Sequence, residues 1–167
     1  MVIEETAFPV PWHESAYYYE IAENRVANYQ ALEVLLDDRP ASLIGYAGFW
    51  MMVDEAHIST IAVATEWRGR GLGKVLLLNL LLEAYRSEAI MVTLEVRKSN
   101  ITAQALYQAF EFEVVGGRKR YYQGKEDALI MTRYPLDRSY RAFLRGMESD
   151  LLKRINEDRM LKTKTNL

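Results

Sequence analysis

Residues Ile61 to Lys74 constrain the fold of this chain more than any other stretch. The apolar, β-branched run from His57 to Val63 reads as a strand. A glycine-studded turn follows, with Arg68, Gly69, Arg70, Gly71, Leu72, Gly73 and Lys74 in succession. Val75-Leu76-Leu77-Leu78-Asn79-Leu80-Leu81-Leu82 then reads as a leucine-rich helix, apolar on most faces and therefore buried. Strand, glycine loop and helix in that order suit an anion. Glycine lets successive N–H groups turn inward. The first N–H groups of a helix lack intrahelical partners, and the helix dipole adds partial positive charge there. Arg68, Arg70 and Lys74 add full charges around the same point.

Spacing excludes two phosphate loops. A P-loop needs glycine at position 68 and Ser or Thr at position 75, where this chain has Arg68 and Val75. A dinucleotide fingerprint runs G-x-G-x-x-G, whereas Gly69, Gly71 and Gly73 run G-x-G-x-G. What remains is Arg68-x-x-Gly71-x-Gly73, either a different phosphate cradle or a plain strand-to-helix turn.

The 167 residues suit one domain, and half of them are hydrophobic, enough for a core. A net charge of −2 argues against binding nucleic acid through overall charge. The absence of cysteine excludes disulfides, thiolate nucleophiles and Cys-based metal sites. The two histidines, His13 and His57, lie far apart in sequence, so no metal is expected. The run Val75 to Leu82 is too short to span a bilayer. No basic segment followed by an apolar one opens the chain, so a cytoplasmic protein without a signal peptide is expected.

Taken in order, the first residues form a short helix stopped near Phe8 by Pro9 and Pro11. His13 to Val26 reads as a second helix carrying Tyr17-Tyr18-Tyr19, which are core and surface tyrosines or a ligand-facing cluster. Ala31 to Leu36 reads as a strand, Asp37-Asp38-Arg39-Pro40 as a turn, and Leu43 to Val53 as a long strand broken by Gly45 and Gly48. Asp54-Glu55 turns the chain back into His57, which reads as a packing residue at a strand start. Ile90 to Val96 is the next strand, and strand–helix–strand of this length implies a right-handed parallel crossover. Ser99-Asn100 caps a helix to about Phe110, and Phe112 to Gly116 is a strand. The basic run Arg118-Lys119-Arg120 leads into Tyr121-Tyr122, and Ala128 to Tyr134 is the last strand. Between residues 138 and 162, Tyr140, Phe143, Leu144, Met147, Leu151, Leu152 and Ile155 recur at helical spacing. They predict an amphipathic helix lying on the domain or on a partner. The chain thus divides into residues 1–136 and an extension, 137–167.

A second motif follows the crossover. Glu95 lies on the strand beside the phosphate-binding one, where a carboxylate is costly unless used or paired. It is either a working carboxylate or a surface partner of Arg97. On the next helix, Ala103 and Tyr107 share a face. The small Ala103 permits close approach of a ligand, and Tyr107 offers a phenol.

Together, Arg68-x-x-Gly71-x-Gly73, Asn100 and Ala105-Leu106-Tyr107-Gln108-Ala109-Phe110-Glu111-Phe112 resemble the GCN5-related N-acetyltransferase (GNAT) superfamily. That superfamily carries Asn at the start of this helix, then Ala-Leu-Tyr-x-x-x-Gly-Phe. Glu111 stands where glycine is usual, a departure that affects a turn rather than chemistry. Leu94-Glu95-Val96-Arg97-Lys98-Ser99-Asn100, Phe8-Pro9-Val10-Pro11-Trp12 and Arg120-Tyr121-Tyr122 before Glu126-Asp127-Ala128 are similar to the RimI-type ribosomal-protein alanine N-acetyltransferases. The resemblance covers roughly residues 3–134.

The resemblance implies an α/β (α+β) GNAT fold, with a mixed, mostly antiparallel sheet, a splayed parallel strand pair and flanking helices. Members usually begin with a strand ahead of the Phe-Pro element, so the first strand is expected to be missing here. The implied reaction is acetyl transfer from acetyl-CoA to a protein α-amine. Its pyrophosphate would sit on the N–H groups of Gly69 to Lys74, and its pantetheine arm along Ile61-Ala62-Val63. An N–H near Val63 would hold the oxyanion. Glu95 would act as base and Tyr107 as acid, and Asn100 would contact the cofactor. Trp12, Tyr121 and Tyr122 would flank the acceptor groove. A ribosomal-protein N-terminus is the expected partner, with a monomeric enzyme and no metal, membrane or direct nucleic-acid contact. Two other classes stay open: an acetyltransferase acting on a small-molecule amine or a lysine side chain, and a non-catalytic acyl-CoA-binding protein.

Overall fold

The computed structural model describes residues 2–35 and 41–164, with side chains described as far as residue 155. The expected turn at Asp37-Asp38-Arg39-Pro40 lies outside the described residues. The chain opens with two helices, α1 (Val2–Ala7) and α2 (Glu14–Ala22). An antiparallel meander follows, β1 (Ala27–Val34), β2 (Ser42–Met52) and β3 (Glu55–Val63). Helix α3 (Leu72–Arg86) crosses to β4 (Met91–Arg97), and α4 (Ile101–Gln108) precedes the hairpin of β5 (Glu113–Tyr122) and β6 (Glu126–Arg133). The long α5 (Arg138–Lys164) comes last. The six strands form one sheet in the order β1-β2-β3-β4-β6-β5, and only β3 and β4 are parallel.

Three boundaries differ from the sequence reading for physical reasons. Helix α2 stops at Ala22, with the Glu23 and Asn24 N–H groups both closing on the Tyr19 carbonyl, and β1 therefore starts at Ala27 rather than Ala31. Strand β5 runs to Tyr122, so the basic run Arg118-Lys119-Arg120 lies inside it. An edge strand exposed on both faces shows no alternation that a sequence could reveal.

The parallel pair is short. Only Glu55 to Ile58 pair with Met91 to Leu94, and beyond them the two strands part. The parting coincides with an irregularity on the other side of β3. Gly48 pairs with Thr60 but Phe49 pairs with Ile58, so Ser59 is an extra residue, and its hydroxyl donates to the Gly48 carbonyl at 3.2 Å. A bulge bends its strand and shifts the inward/outward parity by one. Ala56 and Ile58 accordingly belong to the main core, whereas Ala62 belongs to a second cluster on the opposite face.

The main core lies between the sheet and helices α3 and α5. Leu76, Leu77, Leu80 and Leu81 of α3 are fully buried there with Phe49, Leu94 and Met131 of the sheet. Tyr140, Leu144 and Leu151 of α5 join the same cluster. Each such side chain contributes about 1.5–3 kcal/mol through removal from water. On the opposite face, α1 and the segment after it cover the end of β3 through Ile3, Phe8, Ala62, Ala64 and Trp67.

Candidate active site

The glycine loop has the geometry of an anion cradle. Gly71 is the N-cap of α3 at φ 80, a left-handed conformation that L side chains disfavour, and it supplies no side-chain cap. A Cβ built on Gly69 or Gly71 would meet nothing within 4 Å, so neither glycine is required by packing within the chain. Lys74 and Val75 are the first α3 residues whose N–H groups bond back, to the Gly71 carbonyl. The N–H groups of Leu72 and Gly73 are thus left to an outside acceptor. Arg68 donates Nε to the Val63 carbonyl at 3.0 Å, and Arg70 donates Nη2 to the Glu66 carbonyl at 3.2 Å while lying 4.7 Å over the Trp67 ring. Both guanidinium groups are thereby held at the loop. This open space and these free donors fit a pyrophosphate.

The gap between β3 and β4 leads away from that cradle. The Ala64 N–H donates to Ile44 on β2, and Arg68 takes the Val63 carbonyl on the other side. By the alternation of an antiparallel ladder, the N–H groups of Ile61 and Val63 face the gap, while Ala62 pairs with Tyr46. An extended arm can add there as a further strand.

Glu95 stands where the gap opens, one residue past the last β4 pair. Its side chain is only 8% exposed, and both oxygens are engaged. His57 Nε2 lies 2.9 Å from Oε2, and Arg118 Nη2 lies 3.0 Å from Oε1. His57 stacks on Trp50 at 5.8 Å between ring centroids, and Trp50 Nε1 donates to the buried Glu20 at 2.5 Å. The expected surface alternative, a Glu95–Arg97 pair, does not form. Arg97 instead bonds Glu126 at 2.9 Å and lies 4.0 Å over the Tyr122 ring. Tyr122 donates its hydroxyl to the Glu95 carbonyl at 3.2 Å, and burial pushes its phenol up to about 12. Tyr121 packs edge-on against it at 5.1 Å and is about half exposed.

Tyr107 is buried on α4 beside Phe112, and that burial raises its phenol above the ordinary range, with a smaller contribution from Tyr122. It therefore stays protonated at neutral pH. Asn100 caps α4, its Oδ1 accepting from the Ala103 N–H at 3.1 Å. Glu111 takes φ 60, so the glycine-like turn survives with a side chain in it.

Trp12 follows α1, and a buried carboxylate fixes it. Glu4 is 3% exposed. One oxygen accepts the Trp12 backbone N–H at 2.8 Å, and the other accepts the hydroxyls of Tyr17 (2.8 Å) and Tyr46. Of the three tandem tyrosines, Tyr17 therefore serves this network, while Tyr18 and Tyr19 are exposed. Sheet register puts Trp50, His57, Thr93 and Glu95 on one face, the face that α1 and α2 partly cover. The residues singled out in sequence thus gather into two linked places, the glycine loop and the Glu95 mouth. His57, Arg118 and Glu4 were not anticipated as parts of the site. Their signals in sequence were a ring nitrogen in an apolar strand for His57, one of three adjacent basic residues for Arg118 and one of two adjacent helix acids for Glu4.

Comparison with known proteins agrees with the fold. The sequence model of the Acetyltransferase (GNAT) family matches residues 1–112. A ribosomal protein bS18-alanine N-acetyltransferase of Salmonella typhimurium is 37% identical over 132 residues, covering 77% of this chain and 84% of that one. A Bacillus subtilis chain that carries the same name provisionally is 39% identical over 130 residues, covering 77% and 83%. The crystal structure of the Escherichia coli ribosomal-protein-S18-alanine N-acetyltransferase superposes with a TM-score of 0.66 at 31% identity, covering 81% of this chain and 84% of that one.

Proposed function

The chain belongs to the Acetyltransferase (GNAT) family, and we propose that it transfers the acetyl group of acetyl-CoA to the α-amine of an N-terminal alanine on a ribosomal protein. The observation that carries this reading is the nearly buried Glu95 carboxylate at the mouth of the β3–β4 gap, opposite the free N–H edge of β3. The names of the relatives supply the acceptor class.

The chemistry follows from position. The N–H groups from Gly69 to Lys74 bind the pyrophosphate, with Arg68, Arg70 and Lys74 neutralising it. Ile61, Ala62 and Val63 align the pantetheine arm, and the Val63 N–H stabilises the oxyanion of the tetrahedral intermediate. Asn100 holds the start of α4 against the cofactor. An α-amine has a pKa of about 8, so much of it arrives as ammonium. Glu95 accepts the proton, directly or through water, and the neutral amine attacks the thioester carbonyl. The C–S bond breaks as Tyr107 donates its proton to the departing sulfur, and the surplus proton on the new amide nitrogen passes through water to restore the phenol. Burial keeps that phenol protonated until the sulfur departs. Trp12, Tyr121 and Tyr122 line the acceptor groove, where rigid aromatics hold an extended peptide with little entropy lost. Residues 1–136 carry this machinery, and 137–167 extend it through α5. The reaction takes place in the cytoplasm, and the chain works as a monomer.

The test offers the full chain three acceptors in parallel. An Ala-initiated peptide is acetylated at its α-amine, while an N-terminally blocked lysine peptide and spermidine are not. Preference for either of the latter moves the enzyme to the lysine or small-amine class.

A further inference from the structure

We propose that Arg118 is an exchangeable counter-ion of Glu95, which holds the carboxylate until the acceptor's own α-ammonium displaces it. The inference rests on the reading of Glu95 as the base. A carboxylate this deeply buried is costly without cationic or hydrogen-bonding partners, and here each oxygen has one. The acceptor must reach one of those two oxygens to give up its proton. In the structure, neither is free.

The two partners are held very differently. His57 is 17% exposed, paired in the sheet and stacked on Trp50, so it cannot withdraw without disturbing β3. Arg118 is 56% exposed and reaches in from the edge strand. It is also the last residue before the β5–β6 ladder breaks. Arg118 pairs with Ala128, and pairing resumes only at Tyr122 with Glu126. The residues between include Arg120 at φ 52. A guanidinium that is already half in water is re-solvated on leaving, and ion pairs of that kind are weak. Oε1 is therefore the oxygen that opens.

The exchange conserves charge. One monovalent cation leaves Glu95 as another arrives, so the buried carboxylate is never left bare. When the proton passes from the ammonium to Glu95, the acid becomes neutral and the amine is free to attack. When that proton is lost to water, Arg118 returns. The other polar groups facing Glu95, namely His57 from β3 and the Tyr122 hydroxyl from β5, keep their contacts throughout. The latch also favours a cationic acceptor over a neutral one, since only a cation replaces what Arg118 supplied.

The experiment is steady-state kinetics of the full chain with the Ala-peptide, with methylguanidinium as inhibitor. Arg118→Met is expected to lower the peptide KM about 2–5-fold, the range of a partly exposed ion pair, and to leave the acetyl-CoA KM unchanged. It is also expected to make methylguanidinium competitive against the peptide, by refilling the vacated place. Lys119→Met removes an adjacent charge outside the ion pairs of Glu95 and is expected to do neither. Arg118→Gln serves as the second variant, with the same fall in KM. A peptide KM that is unchanged or higher in both Arg118 variants overturns the latch. So does an equal fall in Lys119→Met, which marks a diffuse field effect. A wild-type chain that leaves the Ala-peptide untouched overturns the N-terminal acceptor reading instead.

Discussion

Replacing Glu4 by Gln tests whether the acceptor side of the site is built on one buried carboxylate. Glu4 offers only acceptors, and three donors converge on it. Glutamine turns one oxygen into an NH₂ group. In one flip the NH₂ group faces the Trp12 N–H, donor against donor; in the other it faces the two tyrosine hydroxyls, which must turn from donating to accepting and lose their charged acceptor. Tyr17 and Tyr46 stand 3.1 Å apart and can keep one bond between themselves. The net loss is therefore one to two bonds to a charged acceptor, about 2–4 kcal/mol in all. That is a large share of the roughly 5–15 kcal/mol holding a typical domain together. For a chain of this length it corresponds to a melting point lowered by about 5–15 °C. Denaturant titration with an unchanged slope reads the first effect. The second is kinetic. The Phe8 to Trp12 segment loosens, so the peptide KM rises more than that of acetyl-CoA. A midpoint within about 0.5 kcal/mol of wild type, the range of an ordinary surface change, refutes the reasoning.

Three further outcomes follow from the same geometry. Gly71→Asp places a carboxylate in the cradle, where its Cβ has open space, so calorimetry should find acetyl-CoA binding abolished. The melt should shift by no more than the roughly 1 kcal/mol typical of a lost left-handed glycine. Glu95→Gln should slow turnover about 10²–10⁴-fold, and Tyr107→Phe should slow it with acetyl-CoA affinity changed less. Near wild-type turnover in either variant removes that residue from its role. In pH titrations of folding, Glu126 is held down to about 2 by hydrogen bonds from Ser99 and then Arg97. Its stabilisation should be complete above the ordinary glutamate range and lost as pH falls from there toward 2. Tyr122 is raised to about 12 by burial, so its part should be intact below pH 10 and lost between 10 and 12. Glu126→Gln should flatten the acid limb, and Tyr122→Phe the alkaline one.

What the sequence reveals is whatever local pattern dictates. The strand–loop–helix of residues 57–82 is legible because periodicity, glycine spacing and leucine density agree within one short window. The α4 cap is legible because Asn100 does its work three residues away. Glu95 is legible as an acid on an apolar strand, but its partners are not. His57 meets it through parallel register, and Arg118 meets it from a strand two places along in the sheet. Both pairings depend on non-local ladder geometry. The bulge at Ser59, which decides which face His57 and Ala62 occupy, has no local signature beyond an ordinary serine in a strand. Glu4 looks like a first-turn helix acid, and only the fold turns it inward. The tail was legible as amphipathic. That Tyr140 and Leu144 would complete the core of the sheet, rather than wait for a partner, needed the position of α3.

The splay between β3 and β4 has a consequence for the economy of the cell as well as for the reaction. Two half-sheets joined by four residue pairs leave interior strand edges without a neighbouring strand, such as the N–H groups of Ile61 and Val63. With acetyl-CoA lying along β3 as proposed, the co-substrate becomes a structural member, a strand the gene does not encode. A ligand that binds only the folded chain adds about 2.7 kcal/mol at a hundred times its dissociation constant. Folded lifetime would then follow acetyl-CoA supply. A shortage would act twice, through an empty site and through a looser sheet that proteases can open.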